Sequence, residues 1–423
     1  MRKVPLLADD FVTIYSSPDP KRVYSCTPGL ARLNSGRLVA SMDQGGPGVA
    51  ELPGPKSVDG DGGRPNQGRI WTSDDRGRTW QPRGEFPFMH ARPFAAGGSV
   101  YILGHDRDLC VIRSDDDGET WSEPAWLTEG QKWHQSACNV HHANGKVYLV
   151  MERQIHFEGR DWPVSKLAPV TMAGVEGADL TQAASWTFAS ELAYRDALAR
   201  TEIRGVGIPF WRPGPTCNGS GEKARNMSAV GWLETNLVQF TDPNHVWHDP
   251  EGRTFYLWMR AHTGSTGMAA IAKAVEQPDG SISTEVATAP SGEPMLFVPC
   301  PGGQMRFHIL FDDVSGMFWL LSSVATDSMT RPDRLPDNRF NLPNNERHIL
   351  ALHYSRNCVD WCMAGVVTAG DDPKQARHYA SMVIDGDDLH VLSRSGDARA
   401  RTAHDTNLIT FHTVAGFRDL VYT

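Results

Sequence analysis

Ser73-Asp74-Asp75-Arg76-Gly77-Arg78-Thr79-Trp80 and Ser114-Asp115-Asp116-Asp117-Gly118-Glu119-Thr120-Trp121 share the pattern SxDxGxTW. A worn third copy reads Ser355-Arg356-Asn357-Cys358-Val359-Asp360-Trp361. Each follows a short apolar run with strand character, residues 68–72, 109–113 and 349–354, so the motif falls where one strand turns into the next. The Ser and Asp side chains suit hydrogen bonds to the turn backbone, the Gly allows a positive φ, and the Trp closes the turn by packing over the sheet. Repeated hairpins of this kind imply repeated small sheets, and radial repetition of small sheets is a β-propeller. The expected fold class is therefore all-β, with four-stranded antiparallel blades.

Composition agrees with many short strands. The 423 residues include 40 Gly, 28 Pro and 13 Trp, and no stretch sustains helical periodicity. One propeller domain over residues 1–423 is expected, interrupted by an irregular rim insertion at about 190–227 that opens with a short helical stretch, SELAYRDALAR. A formal net charge of −9 argues against a nucleic-acid partner, which calls for a basic face. The N-terminal MRKVPLLADDFV lacks the apolar run of a signal peptide, and nothing is long enough to span a membrane. A soluble protein is expected, cytoplasmic or exported with its signal removed; the oligomeric state stays open. Seven cysteines without regular spacing make no disulfide framework and no metal pair, and Cys358 and Cys362 read as buried small apolar residues. Neither a cofactor nor a metal is expected; His141 and His142, adjacent on a strand, face opposite ways and chelate poorly.

Strands are expected at residues 99–103, 146–152, 237–240, 254–260, 306–311, 317–322, 348–354, 380–384 and 389–393, after a first hairpin within 23–42. The Gly-, Pro- and Asp-rich loop at 43–67 is long for a compact domain, which marks it as a functional rim. Asp43, at its start, is a candidate substrate contact.

The SxDxGxTW turn is the Asp box, and the chain resembles the sialidase (neuraminidase) superfamily of six-bladed propellers. That resemblance implies an exo-acting retaining glycoside hydrolase that removes a terminal acidic sugar, sialic or a related ulosonic acid, through a tyrosine nucleophile. A neutral nucleophile suits an anomeric carbon that carries its own carboxylate. The stretch from Asp61 to Ser73 resembles the one that carries the family's acid/base aspartate, which places that role on Asp61, with Asp59 as its near alternative. The hairpin from Glu234 to Arg260 resembles one that begins with the glutamate partner of the tyrosine and ends with a carboxylate-binding arginine. Arg347 opens the strand into the worn third motif, at the offset of a second clamp arginine. His378-Tyr379-Ala380-Ser381 resembles the nucleophile strand, making Tyr379 the candidate nucleophile.

One position departs from the family. Where the first strand of sialidases carries an arginine two residues before a proline, Tyr24-Ser25-Cys26-Thr27-Pro28 has Cys26. Arg22, Arg306 and Arg394 are the candidates to replace it. His134, His308 and His378, beside aromatic or arginine residues near strand ends, add further candidate substrate contacts. With the arginines they also suit a lyase or a histidine-dependent glycosidase acting on uronate-containing glycans, loosely resembled at WHQSACNVHHANGKVYLVME. A non-catalytic glycan-binding propeller is the third possibility, kept open by Cys26.

Overall fold

A computed structural model describes residues 4–58, 63–135, 138–159, 162–202, 207–208, 230–263, 266–335 and 346–422. They form six antiparallel sheets in sequence order around an axis. Blade 1 comprises Tyr24–Arg32, Leu38–Gly45, Gln67–Ser73 and Gln81–Phe86; blade 2, Met89–Ala96, Ser99–Asp106, Asp108–Ser114 and Ala125–Trp126. In blade 3, Trp133–Gln135 and His141–Ala143 both pair with Lys146–Gln154, followed by Leu167–Val175 and Trp186–Phe188. Blade 4 comprises Gly231–Val238, Thr254–His262, Met268–Glu276 and Ile282–Thr288, with short additions at Pro294–Met295 and Phe297–Pro299. Blade 5 is His308–Asp312, Met317–Ser323, Ile349–Ser355 and Cys362–Ala369. Blade 6 takes Arg377–Asp385, Asp388–Ser395 and Leu408–Val414 from the C-terminal end and its outer strand, Val12–Ser16, from the N-terminal end, with Val12 opposite Phe411.

The first two motifs are built alike. Ser73 Oγ donates to Asp75 Oδ1 (2.9 Å) and accepts from the Gly77 N–H (2.9 Å), while Asp75 takes the Thr79 N–H (2.9 Å) and hydroxyl (2.7 Å). The same four bonds at Ser114, Asp116, Gly118 and Thr120 span 2.6 to 2.9 Å. In the third turn Asn357 Oδ1 accepts the Val359 and Asp360 N–H groups at 2.9 and 2.8 Å. These turns also join blades: Trp80 packs edge-on against Phe411 of blade 6, with ring centroids 5.3 Å apart.

Between blades the core is apolar, with Trp232, Trp258 and Trp319 fully buried. Nearer the axis it is stapled by amides. Asn139 Nδ2 donates to Leu237 O (2.8 Å) and Ile309 O (3.2 Å), and Asn236 Nδ2 donates to Phe307 O (3.1 Å), tying blades 3, 4 and 5 together.

Several strands differ from their sequence expectation. Leu167–Val175, Met268–Glu276 and Leu408–Val414 are mostly buried, so they lack the polar–apolar alternation that advertises a strand. The strand expected at 237–240 begins instead at Gly231, because Glu234, Thr235 and Asn236 are buried despite their polarity. Cys358 is buried as expected, but Cys362 opens an outer strand and is exposed. The helical stretch of the rim insertion forms a short helix, Tyr194–Ala199; residues 203–206 and 209–229 lie outside the described residues. Among the described residues no helix is long and apolar enough to cross a membrane.

Candidate active site

Among the described residues eight non-glycine positions have positive φ. Five occupy turns; the other three, His90 (+53°), Glu234 (+60°) and Tyr379 (+51°), lie inside strands. All three stand in the first half of an innermost strand, where the register slips by a bulge: between Met89 and Arg92, Leu233 and Asn236, and His378 and Ser381. A bulge with left-handed backbone breaks the alternation of a strand and re-aims one side chain. The loops joining second to third strands meet at this end, including the one after Gly45; the SxDxGxTW turns occupy the other.

Two of these residues meet. The Tyr379 hydroxyl donates to Glu234 Oε1 at 2.5 Å, across from blade 6 to blade 4. Arg260 Nη1 donates to the same hydroxyl oxygen at 2.9 Å and lies 3.4 Å from Glu234 Oε2. Glu234 and Arg260 are 0% and 1% exposed, so these contacts operate without solvent screening. Burial, followed by the Glu234 charge, holds the Tyr379 phenol above its ordinary value against the pull of Arg260 and Arg347. The tyrosine is a neutral phenol at neutral pH, and a proton acceptor is already in contact with it.

Two further guanidiniums flank the ring. Arg347 and Arg394 each place Cζ 5.5 Å from its centroid. Arg347 Nη1 donates to His378 Nδ1 at 3.0 Å, which assigns the imidazole hydrogen to Nε2. Burial pulls Arg347 down to about 10, resisted by Tyr379 and reinforced by the charges of Arg260 and Arg394. Arg394 is anchored through Nε to Thr406 Oγ1 (3.2 Å) and through Nη2 to His404 O. Besides Arg306 beneath it, the tyrosine is thus ringed by one arginine each from blades 4, 5 and 6.

Other expected residues lie deeper or further round. Arg306 is buried beneath Tyr379, donating to the carbonyl oxygen of Tyr379 itself and to Ser381 Oγ (3.2 Å). His308 accepts the Met382 N–H at Nδ1 (3.0 Å), so it bolts blade 5 to blade 6 rather than facing the pocket. His378 is fully buried behind Arg347. Asp43 is buried, accepts the His90 N–H at 3.2 Å, and is pushed up to about 7 by burial against the pull of Arg394. His134 is half-buried, with its ring 6.4 Å from that of Trp162, which in turn lies under the Arg260 guanidinium. Cys26 is half-buried and opposite Asp43 in blade 1. Arg22 is paired with Glu51 in solvent. Asp61 and Asp59 lie outside the described residues.

The residue sequence reasoning passed over is His90. Its signal was present: His90-Ala91-Arg92, Glu234-Thr235-Asn236 and Tyr379-Ala380-Ser381 repeat one order, a large polar residue, a small one and a polar one, at the entrance of three inner strands.

No family model and no curated protein matches the chain. Solved structures do. The chain is similar to the intramolecular trans-sialidase of Ruminococcus gnavus in complex with oseltamivir carboxylate, at 12% identity and a TM-score of 0.53, over 97% of this chain and 98% of that one. It is similar to the α-L-arabinanase of Penicillium chrysogenum complexed with arabinobiose, at 11% identity and 0.51, over 98% and 99%. A Trypanosoma rangeli sialidase in complex with sialic acid aligns at 11% identity and 0.51, over 97% of this chain and 59% of that one. The shared feature is the propeller. These neighbours are glycoside hydrolases, and at such identities the likeness establishes the fold.

Proposed function

We propose that the protein is an exo-acting retaining glycosidase of the sialidase type, cleaving a terminal acidic sugar from a glycan. The carrying observation is the 2.5 Å bond from the Tyr379 hydroxyl to Glu234, with Arg260 on the same oxygen. In this reading the phenol oxygen attacks the anomeric carbon and its proton passes to Glu234. The glycosidic bond breaks, and the leaving oxygen takes a proton from an acid, the role assigned to Asp61. Water then hydrolyses the tyrosyl–sugar bond with proton flow reversed, so configuration is retained. Arg260, Arg347 and Arg394 form the carboxylate clamp, the last standing in for the arginine that Cys26 replaces. Three buried guanidiniums near one ionisable glutamate favour an anionic ligand.

The test is release of 4-methylumbelliferone from its α-sialoside. Wild-type turnover that falls by about 10²-fold or more in Tyr379→Phe and Glu234→Gln supports the reading. Turnover unaffected by Tyr379→Phe refutes the nucleophile. No sialoside turnover, with an ultraviolet-absorbing unsaturated product from uronate-containing glycans instead, replaces the hydrolase with a lyase.

A further inference from the structure

Of the three residues with left-handed backbone inside strands, the chemistry above uses two. His90 is the third, and its placement repeats theirs on blade 2, so that the three occupy alternate blades. Backbone strain of this kind costs on the order of 1–3 kcal/mol and persists only where the surroundings over-determine it, commonly at functional sites. The surroundings of His90 are specific. Its N–H donates to Asp43, and its Nδ1 lies 3.0 Å from Nε2 of the buried His105. The His134 backbone lies beside both imidazoles. Only one of the two facing nitrogens carries the shared hydrogen, so the tautomers of His90 and His105 are linked. Burial, then His105, His134 and Arg394, holds His90 well below the ordinary histidine value, leaving it neutral beside the arginines.

We propose that His90 contacts the substrate: its imidazole, with the tautomer linked to that of His105, hydrogen-bonds a hydroxyl on the sugar edge opposite the carboxylate. This rests on the glycosidase reading above. Blade 2 stands across the axis from blade 5, which brings Arg347, so a sugar held through its carboxylate by Arg260, Arg347 and Arg394 turns its far edge toward His90. Neutrality matters for selection. An imidazolium there would attract the carboxylate itself and blur the orientation that the arginines impose.

The experiment measures kcat/KM on the 4-methylumbelliferyl α-sialoside and thermal unfolding for the wild type, Tyr379→Phe, His90→Gly and His90→Asn. Glycine adopts the backbone without strain, so His90→Gly is expected to melt at or above the wild-type temperature while kcat/KM falls roughly 10-fold or more. Asparagine tolerates the same backbone and keeps a donor and an acceptor, so His90→Asn is expected to recover part of the loss. Wild-type kcat/KM in His90→Gly, with Tyr379→Phe inactive, overturns the role of His90 alone. A fall in melting temperature that accompanies the lost activity also overturns it, in favour of a structural histidine. An inactive wild type removes the glycosidase reading, and this proposal with it.

Discussion

Arg394 is the residue on which the acid specificity turns. It reaches the tyrosine from the end of the second strand of its blade, opposite His378 in the ladder. Charge-assisted bonds are worth about 1.5–3 kcal/mol each, so Arg394→Met should raise KM for the sialoside by roughly 10- to 100-fold, whereas Arg22→Met, at a solvent-exposed pair with Glu51, should leave kinetics unchanged; steady-state assays decide. Glu152 is a second test at this scale. It is fully buried and takes both the Thr235 N–H (3.0 Å) and the Thr235 hydroxyl (2.6 Å), pinning the bulge that aims Glu234. Burial, opposed by the Thr235 bonds and aided by the Glu234 charge, pushes its carboxyl up to about 8. The folded chain then keeps a proton that the unfolded chain releases near the ordinary value of 4.5, so Glu152 lowers stability as pH rises from about 4.5 to 8. Glu152→Gln should therefore gain on the wild type by on the order of 1 kcal/mol per pH unit across that interval, read from urea unfolding at pH 5 and pH 8. Parallel curves at both pH values would contradict it. The contact among Glu234, Arg260 and Tyr379 was legible in the sequence because each stands at the end of a recognisable hairpin. His90 was harder to read, since it depends on a backbone angle that composition does not encode, and Arg394 stood only as one of three arginines that could replace the residue lost at Cys26.

Elements of this fold are fixed by turns whose chemistry is local, and that is why the SxDxGxTW hairpins could be read directly. Asp75 and Asp116 are held down to about 2, chiefly by the hydroxyls of Thr79 and Thr120. Gly77 and Gly118 separate two effects that a turn glycine usually mixes. Both have left-handed backbone, at φ +84° and +86°. A Cβ on Gly77 would fall 2.1 Å from the Phe411 ring, whereas on Gly118 its nearest neighbour is a Thr72 methyl at 3.3 Å. Each alanine variant incurs about 1–2 kcal/mol of backbone strain, and Gly77→Ala adds overpacking of about 1–3 kcal/mol. Chemical denaturation should rank Gly77→Ala as the more destabilised; equal losses would mean that Phe411 swings aside. The strands between such turns were legible where one face is exposed. They were not where both faces are covered, as in Met268–Glu276, whose run of alanines gives no alternation to count.

At the scale of the whole molecule, the ring closes through Val12–Ser16, which pairs with Leu408–Val414 and also meets Trp71 and Trp80 through Tyr15 and its apolar neighbours. Removing residues 1–17 should leave the Leu408–Val414 edge open, and an open edge recruits other chains. Light scattering and melting of that truncation should show self-association and a lower transition; a monomer with the wild-type transition would show that closure is dispensable. Closure also imposes an order on birth. The partners Val12 and Phe411 stand at opposite ends of the chain, so the strand made first is the last to find its place. At ribosomal rates of about 5–20 residues per second, it waits roughly 20–80 s while five blades emerge. During that interval only blade 1 offers its apolar side chains a native surface, through Trp71 and its neighbours, and the backbone ladder that will seal the final blade waits unpaired until the last strand emerges.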